Sequence, residues 1–298
     1  MEYSASDLTF TPVDRDTPIQ AVMDNPLFGD YGRLLFPVES GWWSGETLED
    51  LRLTFYSHID PEATVAVINN LGTRAASGET VFYDIYTAEE KARDPAKADT
   101  GLFFFRGEAA AKTAICNAGG AFAYVGAMHD SFPHALALSQ RGYNAFALIY
   151  RPGAQTACED LARAIAFLHE NAAALHIDMA GYSLWGGSAG ARMAAWLGAY
   201  GTEAFGEAAW PRPAAVIMQY TGMSEITGNE PPTYSCVGTR DGIASWRVMK
   251  QRTARIRAQG TDAEIEIFEG LAHGFGLGTG TVAEGWLDHA LSFWERQL

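Results

Sequence analysis

From residue 113 onward, short apolar runs alternate with longer stretches in which apolar residues return every three or four positions. The short runs predict strands over 113–116, 145–150, 214–220, 233–237 and 264–268, with one more running into Gly186. The longer stretches predict helices over 132–140, 158–174, from the residue after Ser188 to about 200, 244–258 and 282–296. Strand and helix in alternation require a sheet covered on both faces, which is the pattern of a mostly parallel α/β fold. Upstream the pattern is less regular. A strand is predicted over 51–56 and a helix over 61–71, with Asp60 as N-cap and Pro61 at the first helical position. Residues 80–86 and 101–106 are β-rich, separated by a charged stretch, 88–99, that reads as a short helix and loop. The first 50 residues carry turn formers and aromatics without a sustained period, so 1–50 are expected to form an arm laid over a single domain of 51–298.

Composition narrows the picture. A chain of 298 residues with 48% hydrophobic and 19% charged residues can bury one large core. A formal charge of -15 repels phosphate backbones and anionic lipid, so nucleic acid and membrane surfaces are disfavoured and a neutral small molecule is the expected partner. Cys116, Cys158 and Cys236 have neither disulfide-framework nor zinc-site spacing and read as buried apolar residues. No metal or nucleotide cofactor is expected, because no ligand-spaced cluster stands out and Gly119, Gly120 and Gly126 do not make a dinucleotide loop. Residues 1–10 have no apolar leader and no run approaches 18 apolar residues. The expectation is a cytoplasmic protein, or a secreted one whose signal peptide has been removed.

The chemistry gathers around Gly186-Gly187-Ser188-Ala189-Gly190, a Gly-x-Ser-x-Gly turn between an apolar run and an Ala-rich helical pattern. Such a turn lifts a serine out of its strand and offers the next residue's N–H, here that of Ala189, to a developing oxyanion. In a parallel sheet the partners of the serine lie on loops at the carboxyl ends of strands. Asp241 follows the strand ending at 237 and His273 follows the strand ending at 268. The order Ser188, Asp241, His273 suits a nucleophile, an orienting acid and a base. Asp262, the rival acid, precedes its strand and reads as a turn residue. His58, His134, His169, His176 and His289 are expected to be solvated. The small residues after the strand at 113–116 let backbone N–H groups approach a substrate oxygen, with Gly120 and Ala121 the favoured donors beside Ala189.

These motifs, together with Tyr150-Arg151-Pro152, Glu159-Asp160-Leu161 and His273-Gly274, resemble the α/β-hydrolase family over about residues 100 to 298. Within it, the chain is similar to hormone-sensitive-lipase-like and bacterial acetyl and feruloyl esterases. The resemblance implies a Ser188–His273–Asp241 triad and a serine carboxylesterase working through an acyl-enzyme. One departure is visible: the family's His-Gly-Gly-Gly reads Ala118-Gly119-Gly120-Ala121 here. The interval between Ser188 and Asp241 is too short for a large lid, so Phe122, Tyr124, His129 and Met223 are expected to close a short acyl pocket. Trp42, Trp43 and Trp185 would either stack on a sugar or fill core. A serine peptidase of the same fold and a non-catalytic binding module are the alternatives.

Overall fold

A computed structural model describes residues 9–298, so the first eight residues of the 1–50 segment lie outside the described part. Helix α1 (Ile19–Met23) and a 3₁₀ segment (Pro26–Leu35) lead to a two-residue antiparallel ribbon, β1 (Trp43–Ser44) and β2 (Arg52–Leu53). Ile19, Val22, Phe28, Leu34, Leu35 and Phe36 are all buried in the same core as the sheet. Helix α2 (Pro61–Ala76) starts as its sequence dictates: the Asp60 side chain accepts from the Glu62 N–H at 3.0 Å, and Pro61 occupies a position whose N–H would have had no partner.

The central sheet begins at its edge with β3 (Phe82–Tyr83). Helix α3 (Ala88–Arg93) follows, then β4 (Gly101–Phe105). Of the eight strands described in this sheet only β4 is reversed, pairing antiparallel with both β3 and β6, so the uninterrupted parallel alternation starts after it. The remainder is β5 (Lys112–Asn117), α4 (Ala127–Asp130), α5 (Phe132–Gln140), β6 (Asn144–Ile149), α6 (Ala154–Leu175), β7 (Asp178–Gly187), α7 (Ala189–Tyr200), β8 (Ala215–Gln219), β9 (Thr233–Gly238), α8 (Trp246–Ala258), β10 (Ala263–Phe268) and α9 (Trp286–Glu295). Each strand and helix expected from 113 onward is present within a few residues of its expected bounds, apart from the final helix, which starts later, and the helix at 154–175, which starts earlier. Strands β4, β5, β6, β8 and β9 are buried along nearly their whole length, which is why their sequences are continuous apolar runs.

The eight strands lie in the order β10-β9-β8-β7-β5-β6-β4-β3. The chain moves from β5 to β6 on one side, then crosses to place β7 on the other. The carboxyl ends of β5 and β7 therefore diverge their loops to opposite faces and leave a crevice between them. Asn117 at the end of β5 ties the pair together, donating from Nδ2 to the Trp185 carbonyl at 2.9 Å. Cys116, Cys158 and Cys236 are buried thiols. No helix among the described residues is long and apolar enough to cross a membrane.

Candidate active site

Strand β7 ends at Gly187 and α7 starts at Ala189, which leaves Ser188 alone in the turn with φ 51° and ψ -114°. That backbone is strained for a residue with a side chain, and its surroundings hold it there. The Ser188 N–H donates to the Gln219 carbonyl at 3.0 Å. A Cβ at Gly186 would lie 2.3 Å from the Gly190 backbone, and one at Gly190 would lie 2.0 Å from the Asn117 oxygen. Only glycine lets β7, α7 and β5 approach this closely, so both elbow glycines are steric requirements.

The loops after β9 and β10 bring the other two groups to Ser188. His273 is buried, its Nδ1 2.7 Å from Asp241 Oδ2 and its Nε2 3.1 Å from Ser188 Oγ. Asp241 takes two backbone donors as well, from Ile243 at 2.8 Å and Ala244 at 2.7 Å, both on Oδ1. A carboxylate so occupied presents its second oxygen to the imidazole, so the ring proton sits on Nδ1 and Nε2 is left to accept from the serine hydroxyl. Asp262 is elsewhere, its side chain paired with Gln297 at 2.9 Å.

The loop after β5 is a series of left-handed residues: Gly120 at φ 129°, then Ala121 and Phe122 both at φ 57°. Its other polar groups are taken. The Ala118 carbonyl accepts from the Tyr150 hydroxyl at 2.6 Å, the Gly119 N–H donates to Asp130 at 2.7 Å, and the Gly120 carbonyl accepts from Ala123 at 2.9 Å. Among the described residues the N–H groups of Gly120 and Ala121 find no such partner, and Ala189 opens α7, where an N–H has no carbonyl within its own helix. The three expected oxyanion donors are thus free to bond a ligand.

The residues expected to line an acyl pocket are placed differently from one another. Phe122 lies at the surface of the loop, stacked on Trp196 with ring centroids 6.1 Å apart. Tyr124, His129 and Met223 are buried. Tyr124 and His129 do not offer a free wall: the Tyr124 hydroxyl donates to the Thr54 carbonyl and its ring stacks on Trp42, while His129 Nε2 donates to the Gly274 carbonyl at 2.8 Å. Both have their polar atoms spent on backbone carbonyls, so neither offers a free polar group to a substrate. The expectation for His134 is also corrected. It is buried with Nε2 2.8 Å from Gln219 Oε1, and burial lowers its pKa to about 3; His169, half-buried, stacks on Trp210. Trp185 is core, its Nε1 bonded to Ser183 at 2.7 Å, whereas Trp42 is half-buried beside the exposed Phe55.

Sequence reasoning passed over Tyr56, Asp130 and Tyr220, which lie against the same loops. The Tyr56 and Tyr220 hydroxyls both donate to Asp130, and the Tyr220 ring meets His273 edge-on at 4.9 Å. The one available signal was a lone acid in the otherwise largely apolar run 127–138. Size alone would mislead here. A cleft of about 650 Å³ opens beside β3, but its Lys91 pairs with Asp84 and its Arg33 with Asp99, and it holds no pairing of nucleophile and base.

Residues 106–241 match the family model BD-FAE. No curated protein sequence matches the chain. Among solved structures, MGS-M1, an α/β-hydrolase enzyme from a Medee basin deep-sea metagenome library, aligns with a TM-score of 0.58 at 19% identity, over 66% of this chain and 92% of its own. Propionate-bound esterase 2 of Thermogutta terrifontis aligns with a TM-score of 0.60 at 19% identity, over 72% and 93%. The same esterase phosphorylated by paraoxon gives 0.61 at 20%, again over 72% and 93%. The fold is that of the α/β hydrolases, as the sequence motifs implied.

Proposed function

We propose, from the premise that this chain has the esterase-type α/β-hydrolase fold, that it hydrolyses short-acyl carboxylic esters through a serine acyl-enzyme. The observation that carries the reading is the unbroken line from Asp241 through His273 to Ser188, at 2.7 and 3.1 Å. Ser188 Oγ attacks the ester carbonyl while His273 Nε2 takes its proton, and Asp241 holds the ring and offsets the charge it acquires. The carbonyl oxygen, now an anion, is met by the N–H groups of Gly120, Ala121 and Ala189 and by the positive end of α7. His273 returns the proton to the departing alcohol. A water, deprotonated in turn by His273, then releases the acid from Ser188.

The short-acyl part of the reading rests on the buried Met223 and on the compact loop 221–232 between β8 and β9. The propionate held by the Thermogutta esterase is consistent with it. Carbohydrate as the alcohol portion is favoured by the half-buried Trp42 and exposed Phe55, which give a sugar ring an aromatic face. The test is a series of p-nitrophenyl esters from acetate to decanoate, followed by acetylated xylo-oligosaccharides. Acetate should exceed octanoate by about tenfold or more, since a clash outweighs what each added methylene can contribute. Ser188→Ala should lower turnover by on the order of 10⁴-fold. A rate that rises with chain length removes the short-acyl pocket, and activity that survives Ser188→Ala removes the nucleophile.

A further inference from the structure

Asp130 is a buried carboxylate that the relay above does not use. It ends α4 at 2% exposure and, among the described residues, is met by no lysine or arginine, only by neutral donors. Its Oδ2 accepts from the Gly119 N–H at 2.7 Å and the Tyr56 hydroxyl at 2.9 Å, and its Oδ1 accepts from the Tyr220 hydroxyl. A Cβ on Gly187 would come within 2.3 Å of both oxygens, so the residue before the nucleophile must be glycine for the carboxylate to stand where it does. A charge buried among neutral donors costs folding free energy, and here burial lifts the carboxyl to about 6 despite the three donors.

The three donors belong to three different segments around Ser188. Gly119 opens the loop that carries the free N–H groups of Gly120 and Ala121. Tyr220 follows β8, lies edge-on to His273, and accepts from the Gly276 N–H at 3.3 Å, so it touches the loop that carries the base at His273 and again three residues on. Tyr56 belongs to the segment between β2 and α2, which is itself fastened to that loop: the Ser57 N–H donates to the Gly274 carbonyl at 3.1 Å and the Ser57 hydroxyl to the His273 carbonyl at 2.5 Å. A Cβ at Gly119 would sit 2.8 Å from Ser188 Cβ and 2.7 Å from the Tyr56 hydroxyl, so these segments meet with no slack at the nucleophile.

We propose that Asp130 is a positioning residue, whose carboxylate fixes Gly119 so that Gly120 and Ala121 aim their N–H groups at the oxyanion, and which registers the His273 loop against them through Tyr220 and Tyr56. This rests on the reading of Ser188 as an ester-hydrolysing nucleophile. Because the donors it aligns matter most when the carbonyl oxygen becomes charged, its loss should appear in kcat and not in KM.

The experiment measures p-nitrophenyl acetate hydrolysis and thermal unfolding for wild type, Asp130→Ala and Asp130→Asn. Asp130→Ala should lower kcat on the order of 100-fold, the size of effect seen when one oxyanion donor is lost, with KM within about threefold. Asn can still accept from Gly119, so Asp130→Asn should recover at least about tenfold of that loss. Equal losses in the two variants, a loss that follows melting temperature, or an Ala variant within about threefold of wild type in kcat would each overturn the proposal. Should Asp130→Ala not fold, Tyr220→Phe removes a single donor and should lower kcat by about tenfold with KM unmoved; an unchanged kcat counts against the proposal. Amide exchange at Gly119 supplies a readout without turnover. Protection in the wild type that is lost in Asp130→Ala supports the hub even if no ester is hydrolysed, in which case the functional reading alone fails. An unprotected Gly119 amide in the wild type overturns it.

Discussion

The carboxylates of Asp241 and Asp130 are both buried beside the loop that carries His273 and are satisfied in opposite ways. Asp241 touches the imidazole directly, and its other donors are the N–H groups two and three residues further along its own loop. Asp130 reaches the loop of the base through Tyr220 and Tyr56, and its donors come from 11, 74 and 90 positions away. One carboxylate is completed by its own turn; the other is completed by the tertiary fold. The difference teaches why the first can be found by reading a strand end and the second cannot.

The largest expected effect separates the two by role. Asp241→Asn should reduce kcat on the order of 10⁴-fold by releasing His273 into the wrong tautomer, well beyond the effect proposed for Asp130, while Asp262→Asn should stay within about twofold of wild type. Steady-state kinetics on the three variants decide it, and a larger loss at Asp130 than at Asp241 would exchange their roles.

The next effect sharpens the contrast through pH. Burial raises Asp130 from its ordinary value of 3.8 to about 6. The folded state then binds this proton more tightly than the unfolded chain does, so the contribution to stability is full below about 4 and is lost as pH rises through about 6. Asp130→Asn removes that titration. Its stability relative to wild type should therefore increase between pH 4 and 7, by about 3 kcal/mol at most. Urea unfolding at several pH values gives the comparison directly, and parallel curves for the two proteins would show that Asp130 is not held as described.

The smallest effect lies in the loop that Asp130 holds. Ala121 sits at φ 57°, where a Cβ costs about 1–2 kcal/mol. Ala121→Gly should raise stability by less than about 1 kcal/mol, because glycine also gains freedom in the unfolded chain, and should leave kcat within about twofold. A tenfold change in kcat would mean that the methyl group itself shapes the oxyanion site.

The meeting of Ser188, Asp241 and His273 was legible because each is tied to a local pattern: Ser188 between an apolar run and a helix, Asp241 and His273 just past strands. The elements after 113 were legible for the same reason. The reversal of β4 was not, since it reads Gly-Leu-Phe-Phe-Phe and a fully buried strand carries no sign of its direction. Tyr124 and His129 were expected as pocket walls, but the sequence does not show that each is buried with its polar atom bonded to a backbone carbonyl. Tyr56 was hidden at the end of a strand expected over 51–56, of which only Arg52–Leu53 pairs, and its partner Asp130 is 74 positions away.

The contact between Ser57 and His273 spans 216 of the chain's 298 positions. Loops this long form late in folding, after strands and helices closer in sequence have paired. The segment that fastens the base loop is thus made early and docked last. On dilution from denaturant, secondary structure should return first, and the capacity to react should lag behind it.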